Sequence, residues 1–312
     1  MDLTKQLAYE FNLKEVYAEN IINLIDEGNT IPFIARYRKE AHGACDDQVL
    51  RDFADRLNYL RNLNKEKEKV EKVIREQEKW TDEIALALEN ALTLTEVEDI
   101  YRPYKPKRKT RATVAIAKGL EPLADAIQAQ DITCPVEEIA KDYVSEEKGV
   151  KNIEEAIAGA KDIIAERISD DAALRKTLRE IIAKKAQIKA VWDEEKDTNK
   201  TYENYKDFSG EVAKLPSHRI LALNRGEKED CLKVDIEINP KLTITEIEKA
   251  YKKENEFTNQ IMLDTIQDSY DRLLFPSLEN ECRRALTDRA NEQAIKMFEV
   301  NLKPLLLQAP LK

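Results

Sequence analysis

The sequence predicts a mainly α-helical protein, a multi-helical scaffold with a small β element near residues 218–240. Three observations carry this. Glycine is scarce, 7 in 312 residues, whereas strand-rich proteins need many glycine-bearing turns. Charged residues make up 36% of the chain and apolar residues 42%. That is enough apolar material for packed cores and enough charge to coat the outer faces of long helices. Apolar residues recur at three- and four-residue spacing through most of the chain, and "CLKVDIEI", Cys231 to Ile238, is the stretch that alternates at period two. A chain of this length suggests more than one subdomain, and shifts in pattern place the divisions at 1–120, 121–196 and 197–312.

The elements follow in order. Leu3, Leu7 and Phe11 mark a first short helix, and Val16, Ile21, Ile22 and Ile25 a second that stops near Gly28. Joined by "FNLK", the two form a helix-turn-helix-like element or an ordinary helical hairpin. Thr30 can cap a third helix with Pro32 in its first turn, carrying "FIARYRKE" and ending before Gly43. Asp46 caps a long helix reaching about Lys79, with Leu50, Phe53, Leu57, Leu60, Val70, Val73 and Ile74 on its apolar stripe. Thr81 opens a helix through Leu92. "TEVE", Thr95 to Glu98, has capping-box spacing, and the helix it starts must stop before Pro103. "EPLADAIQAQ" and the segment from Cys134-Pro135 read as short helices. Residues 151–195 read as one or two helices, with Ile153, Ile157, Ala160 and Ile164 on one stripe and Leu174, Leu178, Ile181, Ile188 and Val191 on a second; "SDD" at Ser169 to Asp171 is the cap between them. "HRILALNRGE" is either a short helix between Ser217 and Gly226 or one arm of a hairpin. Beyond Thr245 helix resumes, with a break at Pro276 and an end near Pro304.

Catalytic chemistry has little to work with. His42 and His218 are the two histidines, too few for a histidine-built metal centre or an evident triad. Cys45, Cys134, Cys231 and Cys282 are widely spaced, without metal-ligand pairs, and read as structural thiols. Neither a phosphate-cradling loop nor a dinucleotide fingerprint can be assembled from the glycines. No catalytic residue, metal or cofactor is assigned. The N-terminus lacks signal-peptide character and no apolar run spans a bilayer, so the expectation is a cytoplasmic protein without membrane contact.

Charge distribution is more informative. The chain carries net charge −10, yet "YRPYKPKRKTRATVAIAKGL", Tyr101 to Leu120, has no acidic residue between Arg102 and Lys118. Arg102, Lys105, Lys107, Arg108, Lys109 and Arg111 form a local positive field that distant acids do not cancel, since screening limits their reach to about 8 Å. These cations suit nucleic-acid phosphates, and Tyr101 and Tyr104 suit base stacking. Pro103 and Pro106 would hold the run extended. The competing reading is a solvated or salt-bridged loop. "FIARYRKEAHG", Phe33 to Gly43, is a second cluster, in which Arg36, Arg38 and Lys39 surround Tyr37. These residues serve either phosphate contact or ion-pair anchoring between helices.

Longer segments bear a family resemblance. "TIPFIARYRKEAHG", "LRDFADRLNYLRNL", "LTEVEDIYRPYKPKRKTRATVAIAKGLEPLA", "LPSHRILALNRGEKEDCLKV" and "RALTDRANEQAIKMFEVNLKPLLLQAPLK" occur in this order. Together they resemble the N-terminal region of the bacterial Tex family of transcription accessory proteins. The resemblance implies a helical N-terminal part with a helix-turn-helix element, followed by an RNase H-like domain, helix-hairpin-helix elements and an RNA-binding OB-fold. It implies nucleic-acid binding, DNA or RNA, without catalysis. It also leads us to expect a fragment whose apolar tail "LKPLLLQAPLK" packs on a missing RNase H-like domain, and whose strand at Cys231 to Ile238 has lost a neighbour. Two functions follow as expectations: a nucleic-acid-binding scaffold, or a docking scaffold for RNA polymerase, a ribonucleoprotein or the absent domains.

Overall fold

The computed structural model describes residues 2–106 and 109–308 and is mainly helical. The chain divides into two compact units, one up to Tyr104 and the other from Lys105.

The first unit is built from six helices: α1 (Leu3–Glu10), α2 (Glu15–Asp26), α3 (Ile31–Tyr37), α4 (Asp47–Glu76), α5 (Asp82–Asn90) and α6 (Leu94–Tyr101). Asp46 caps α4 by accepting from the Val49 N–H at 2.8 Å, and Thr81 caps α5. Leu50, Phe53, Leu57, Leu60, Leu63, Val70 and Ile74 form the buried stripe of α4, against which Leu7, Ala18, Ile21, Ile34, Leu88 and Val97 pack. Two bidentate ion pairs fix α1 and α2 to this spine. Arg56 donates to Glu10 at 2.6 and 2.8 Å, and Arg61 to Asp26 at 2.6 and 2.7 Å. The capping box of α6 lies two residues earlier than the sequence suggested. Thr93 accepts from the Glu96 N–H and Glu96 accepts from the Thr93 N–H; Thr95 and Glu98 are inside the helix.

The second unit contains α7 (Arg111–Ala117), α8 (Glu121–Ala129), α9 (Val136–Ala140), α10 (Ile153–Asp170), α11 (Ala172–Lys185), β1 (Gln187–Trp192), β2 (Phe208–Glu211), α12 (Ser217–Lys228), β3 (Leu232–Glu237), α13 (Pro240–Tyr251), α14 (Asn259–Ser269) and α15 (Phe275–Leu306). One apolar cluster runs through it from Ala112 to Ala290, so the divisions expected at 120 and 196 fall inside a continuous core. Asp171 caps α11 by accepting from the Leu174 N–H at 3.0 Å. Arg175 of α11 is fully buried and donates to the Ser169 carbonyl, the Ser277 hydroxyl and the Glu281 carboxylate, tying α10 and α11 to α15.

Ile188 and Val191, assigned by their spacing to a helical stripe, belong to β1. The stripe continued past the helix by coincidence of register. Ala186 turns extended, after which Ile188 and Ala190 are buried at period two. β1 is the central strand of an antiparallel sheet in the order β2-β1-β3, with Ile188 opposite Ile236 and Gly210. β3 therefore has its neighbour within this chain. Its outer edge is covered as well: the Ile236 N–H donates to Glu279 of α15 at 3.0 Å, and Arg283 donates to the Val234 carbonyl at 2.8 Å, which removes an open pairing edge.

"HRILALNRGE" is helix, α12, with Pro216 rather than Ser217 at its N-cap. Gly226 does not end it. It is buried inside the helix, where a Cβ would sit 2.5 Å from Leu232 Cδ1. Helix also persists through Pro276: a wide π turn, Tyr270–Leu274, precedes the proline. Widening the turn there accommodates a residue that has no N–H to donate. All four cysteines are free thiols, Cys231 buried and the others half-buried.

Candidate nucleic-acid interface

The cations of α3 and the turn that follows it lie on the surface of the first unit. α3 ends at Tyr37, short of the predicted boundary, because Arg38 leaves helical geometry at φ −129. The turn from Arg38 to Cys45 is then pinned from below. His42 is fully buried, the Asn20 side chain donates to the Ala41 carbonyl at 3.0 Å, and the Cys45 thiol donates to the His42 carbonyl at 2.9 Å. Gly43, at φ +68, lies so close to α2 that a Cβ would sit 2.8 Å from the Tyr17 ring. A glycine is needed there on both grounds.

What this turn presents is positive and aromatic. Arg36, Arg38 and Lys39 are exposed, and among the described residues none of them is in an ion pair. The anchoring alternative for these cations thus finds no acidic partner. Arg38 instead lies 5.8 Å over the Phe33 ring, and Phe33 meets Tyr37 at 5.2 Å between centroids. The two rings are 37% and 59% exposed, which leaves aromatic surface open to a planar partner. Glu40 is the acidic neighbour within the turn, so Arg36 to Glu40 carries a surplus of cations. Phe33 is the residue that sequence reading passed over; its four-residue spacing from Tyr37 on a helix was the available signal.

The basic run from Arg102 to Arg111 is placed differently. Arg102–Tyr104 forms a 3-10 turn, so the chain is not extended at Pro103. Tyr101 and Tyr104 are half-buried and pack against the first unit's core, and burial pushes the Tyr104 hydroxyl pKa up. Gln77 donates to the Tyr104 carbonyl at 2.9 Å. Tyr101, Arg102 and Lys105 are each engaged within the chain. Lys107 and Arg108 lie outside the described residues. Lys109 is exposed. Arg111 is exposed at the start of α7, where Thr110 and Thr113 cap each other. Its charge acts on Asp162 and Asp268. Burial pushes the Asp162 carboxyl up while Arg272 and Arg111 pull it down, and Arg272, with Arg111 assisting, holds Asp268 below the usual carboxylate range.

His218 is exposed in the first turn of α12. Among the described residues no three His, Cys, Asp or Glu side chains come together as a metal site, and no helix is long and apolar enough to cross a membrane.

Comparison with known proteins agrees along the whole chain. The Tex-like protein N-terminal domain matches residues 1–75, and the Tex central region-like family matches residues 131–298. Protein YdcI of Bacillus subtilis (strain 168) is 46% identical over 99% of this chain and 44% of its own length. The transcriptional accessory protein Tex of Neisseria gonorrhoeae is 38% identical over 99% of this chain and 42% of its own. The human S1 RNA-binding domain-containing protein 1 is 29% identical over 99% of this chain and 32% of its own. The chain thus spans less than half the length of these relatives.

Proposed function

Because the chain belongs to the Tex family, we propose that it is a non-catalytic nucleic-acid-binding scaffold of a cytoplasmic transcription accessory protein. The observation that carries this reading is the exposed turn of the first unit, where Arg36, Arg38 and Lys39 have no acidic partner among the described residues and flank the open rings of Phe33 and Tyr37. Guanidinium and ammonium groups suit phosphates, and aromatic faces suit bases that are not stacked in a duplex. Lys109, with Lys107 and Arg108 beside it in sequence, is the second candidate. One relative's name, that of an RNA-binding-domain protein, accords with a nucleic-acid role.

The α1–α2 hairpin is proposed as support and not as a groove reader. α2 contains Glu15, Glu19 and Asp26 and neither Lys nor Arg, a poor charge balance for entering a phosphate-lined groove. A second reading, protein docking, is favoured by the end of α15. There Ile295, Met297, Phe298, Val300, Leu305, Leu306 and Leu307 are all exposed. A further domain of the same polypeptide, or RNA polymerase, would cover such a surface.

The test is fluorescence anisotropy with labelled duplex DNA, single-stranded DNA and RNA, comparing the chain with R36Q/R38Q/K39Q. Three lost phosphate contacts should flatten the log–log salt dependence on duplex by about 2.7, which is about 40-fold in relative affinity between about 50 and about 200 mM salt. Equal slopes for the two proteins would remove the turn from the interface, and absence of binding to all three ligands would leave docking as the function of this chain.

A further inference from the structure

The sheet of the second unit has two edges, and the fold treats them differently. On β3 the outer edge is occupied by Glu279 and Arg283 of α15. β2 is the opposite edge. The Val212 N–H donates to the Ala186 carbonyl at 3.0 Å, and the two residues lie directly opposite in the register that pairs Gln187 with Glu211. Hydrogen-bonded pairs alternate along an antiparallel ladder. Gly210 and Phe208 therefore bond to β1, and the backbones of Ser209 and Glu211 point away from it. Both residues are exposed. The Glu211 carbonyl opens the short 3-10 turn Val212–Lys214. The Ser209 N–H, the Ser209 carbonyl and the Glu211 N–H remain on the outer side, and no group among the described residues hydrogen-bonds to them.

Donor and acceptor stand side by side on this edge. Another extended peptide matches such a row, whereas a phosphate oxygen, which only accepts, does not. The charge beside the edge is positive. Arg219 is exposed and lies 5.6 Å over the ring of Phe208, the residue that shares a sheet face with Gly210. Lys206, just before β2, is exposed 5.8 Å over the Trp192 ring. Neither cation is in an ion pair among the described residues, whereas Glu211 is paired with Lys214 at 2.8 Å. Asp207 is exposed between Lys206 and the strand, so the attraction centres on Arg219.

We propose that β2 is a docking edge for an extended acidic segment of a partner protein, which adds a fourth strand to the sheet. The segment exchanges two hydrogen bonds with Ser209 and accepts a third from the Glu211 N–H. Its side chains alternate between the faces, and acidic ones on the Phe208 face meet Arg219. This edge does not depend on the cationic turn of the first unit.

Glu211 permits a selective test. Its φ of −64 lies in proline's range, and Gly210 before it is in extended strand, as proline requires. E211P therefore deletes the outward N–H and keeps the bonds of β2 to β1. E211A, which loses the same Lys214 pair, is the reference. The full chain is titrated by fluorescence anisotropy with a labelled Glu-Val-Glu-Val-Glu-Val-Glu peptide, with its lysine-valine counterpart, and with a short single-stranded DNA. The glutamate peptide should bind and the lysine peptide should not. E211P should bind it about fivefold more weakly than E211A, the worth of one backbone hydrogen bond, and R219Q should also weaken it. Amide hydrogen exchange at Ser209 should slow on binding, while Gly210 keeps its parent rate in E211P and reports an intact sheet. R219Q, which leaves the backbone alone, carries the test should the proline disturb β2. No binding of the glutamate peptide, equal binding of both peptides, equal affinities of E211P and E211A, or protection of Ser209 by DNA in place of peptide would overturn the proposal. So would Ser209 protection that rises with protein concentration alone, which would give the edge to a second copy of the chain.

Discussion

Replacing Arg175 with methionine should destabilise the second unit substantially. Arg175 is fully buried, and its acceptors include the Ser169 carbonyl, the Ser277 hydroxyl and the Glu281 carboxylate, on two helices. Methionine fills much of the same volume but satisfies none of them. Removing one partner of a buried pair typically costs about 3–5 kcal/mol. Glu281 is 28% exposed and keeps Arg179 at 2.9 Å, so the low end, about 3 kcal/mol, is expected. Urea unfolding read through Trp192, with Trp80 replaced by Phe, isolates the second unit, since the chain has two tryptophans. With a slope of about 2.5 kcal/mol per M, the midpoint should fall by about 1 M. R175M/E281M should recover most of this loss, because the double change removes both desolvated charges and not just one. Acid provides an independent check. Burial raises the Glu281 carboxyl pKa, but Arg175 and Arg179 outweigh it and leave it below the ordinary value. A depressed folded pKa gives stability that is present above the unfolded value and is lost as pH falls through the folded one. The deficit of R175M should therefore shrink below about pH 4. A midpoint shift under about 0.3 M, or a double variant no better than the single one, would refute the view that the ion network holds these helices together.

The other predictions concern local packing and charge. Gly226→Ala places a Cβ 2.5 Å from Leu232 Cδ1 and 2.8 Å from its Cγ. Overpacking of about 1–3 kcal/mol should exceed the helix-propensity gain of about 1 kcal/mol, and a raised Tm would show that the α12–β3 contact yields. In the first unit, the Arg56 hydrogen bond holds Glu10 below the usual carboxylate range and Arg61 does the same for Asp26. Both contributions are complete above the unfolded carboxylate values and fade as pH falls below about 4. Trp80 fluorescence should report acid unfolding of this unit at lower pH in the parent than in R56Q/R61Q at matched denaturant, and coincident acid midpoints would exclude a role for these pairs.

Much of the helical framework was legible because its signals are local. Asp46, Thr81 and Asp171 cap the helices expected of them, since a cap depends on three or four neighbouring residues. Failures arose where a local signal was matched by an equivalent one nearby. Thr93 and Thr95 both stand three residues before a glutamate, and the choice between them is made by where the apolar face of α6 meets the core. Ile188 and Val191 fit the stripe of α11 equally well in register, and the strand prevails because β3 supplies pairing groups from about 45 residues away. The buried role of Arg175 had no local signal. Its partners Ser277 and Glu281 lie more than 100 residues further along.

The same distinction governs the candidate site. Density of positive charge along the chain singled out Arg102 to Arg111, yet density in sequence is not availability in space. Arg102 and Lys105 are engaged within the chain, and Arg111 acts on Asp162 and Asp268. The shorter cluster, Arg36 to Lys39, is the one left with cations outside any ion pair among the described residues and with open rings, on a turn fixed by a buried histidine and a glycine pressed on Tyr17. A cation becomes available to phosphate when the fold denies it a carboxylate, and that condition is set by contacts between segments distant in sequence.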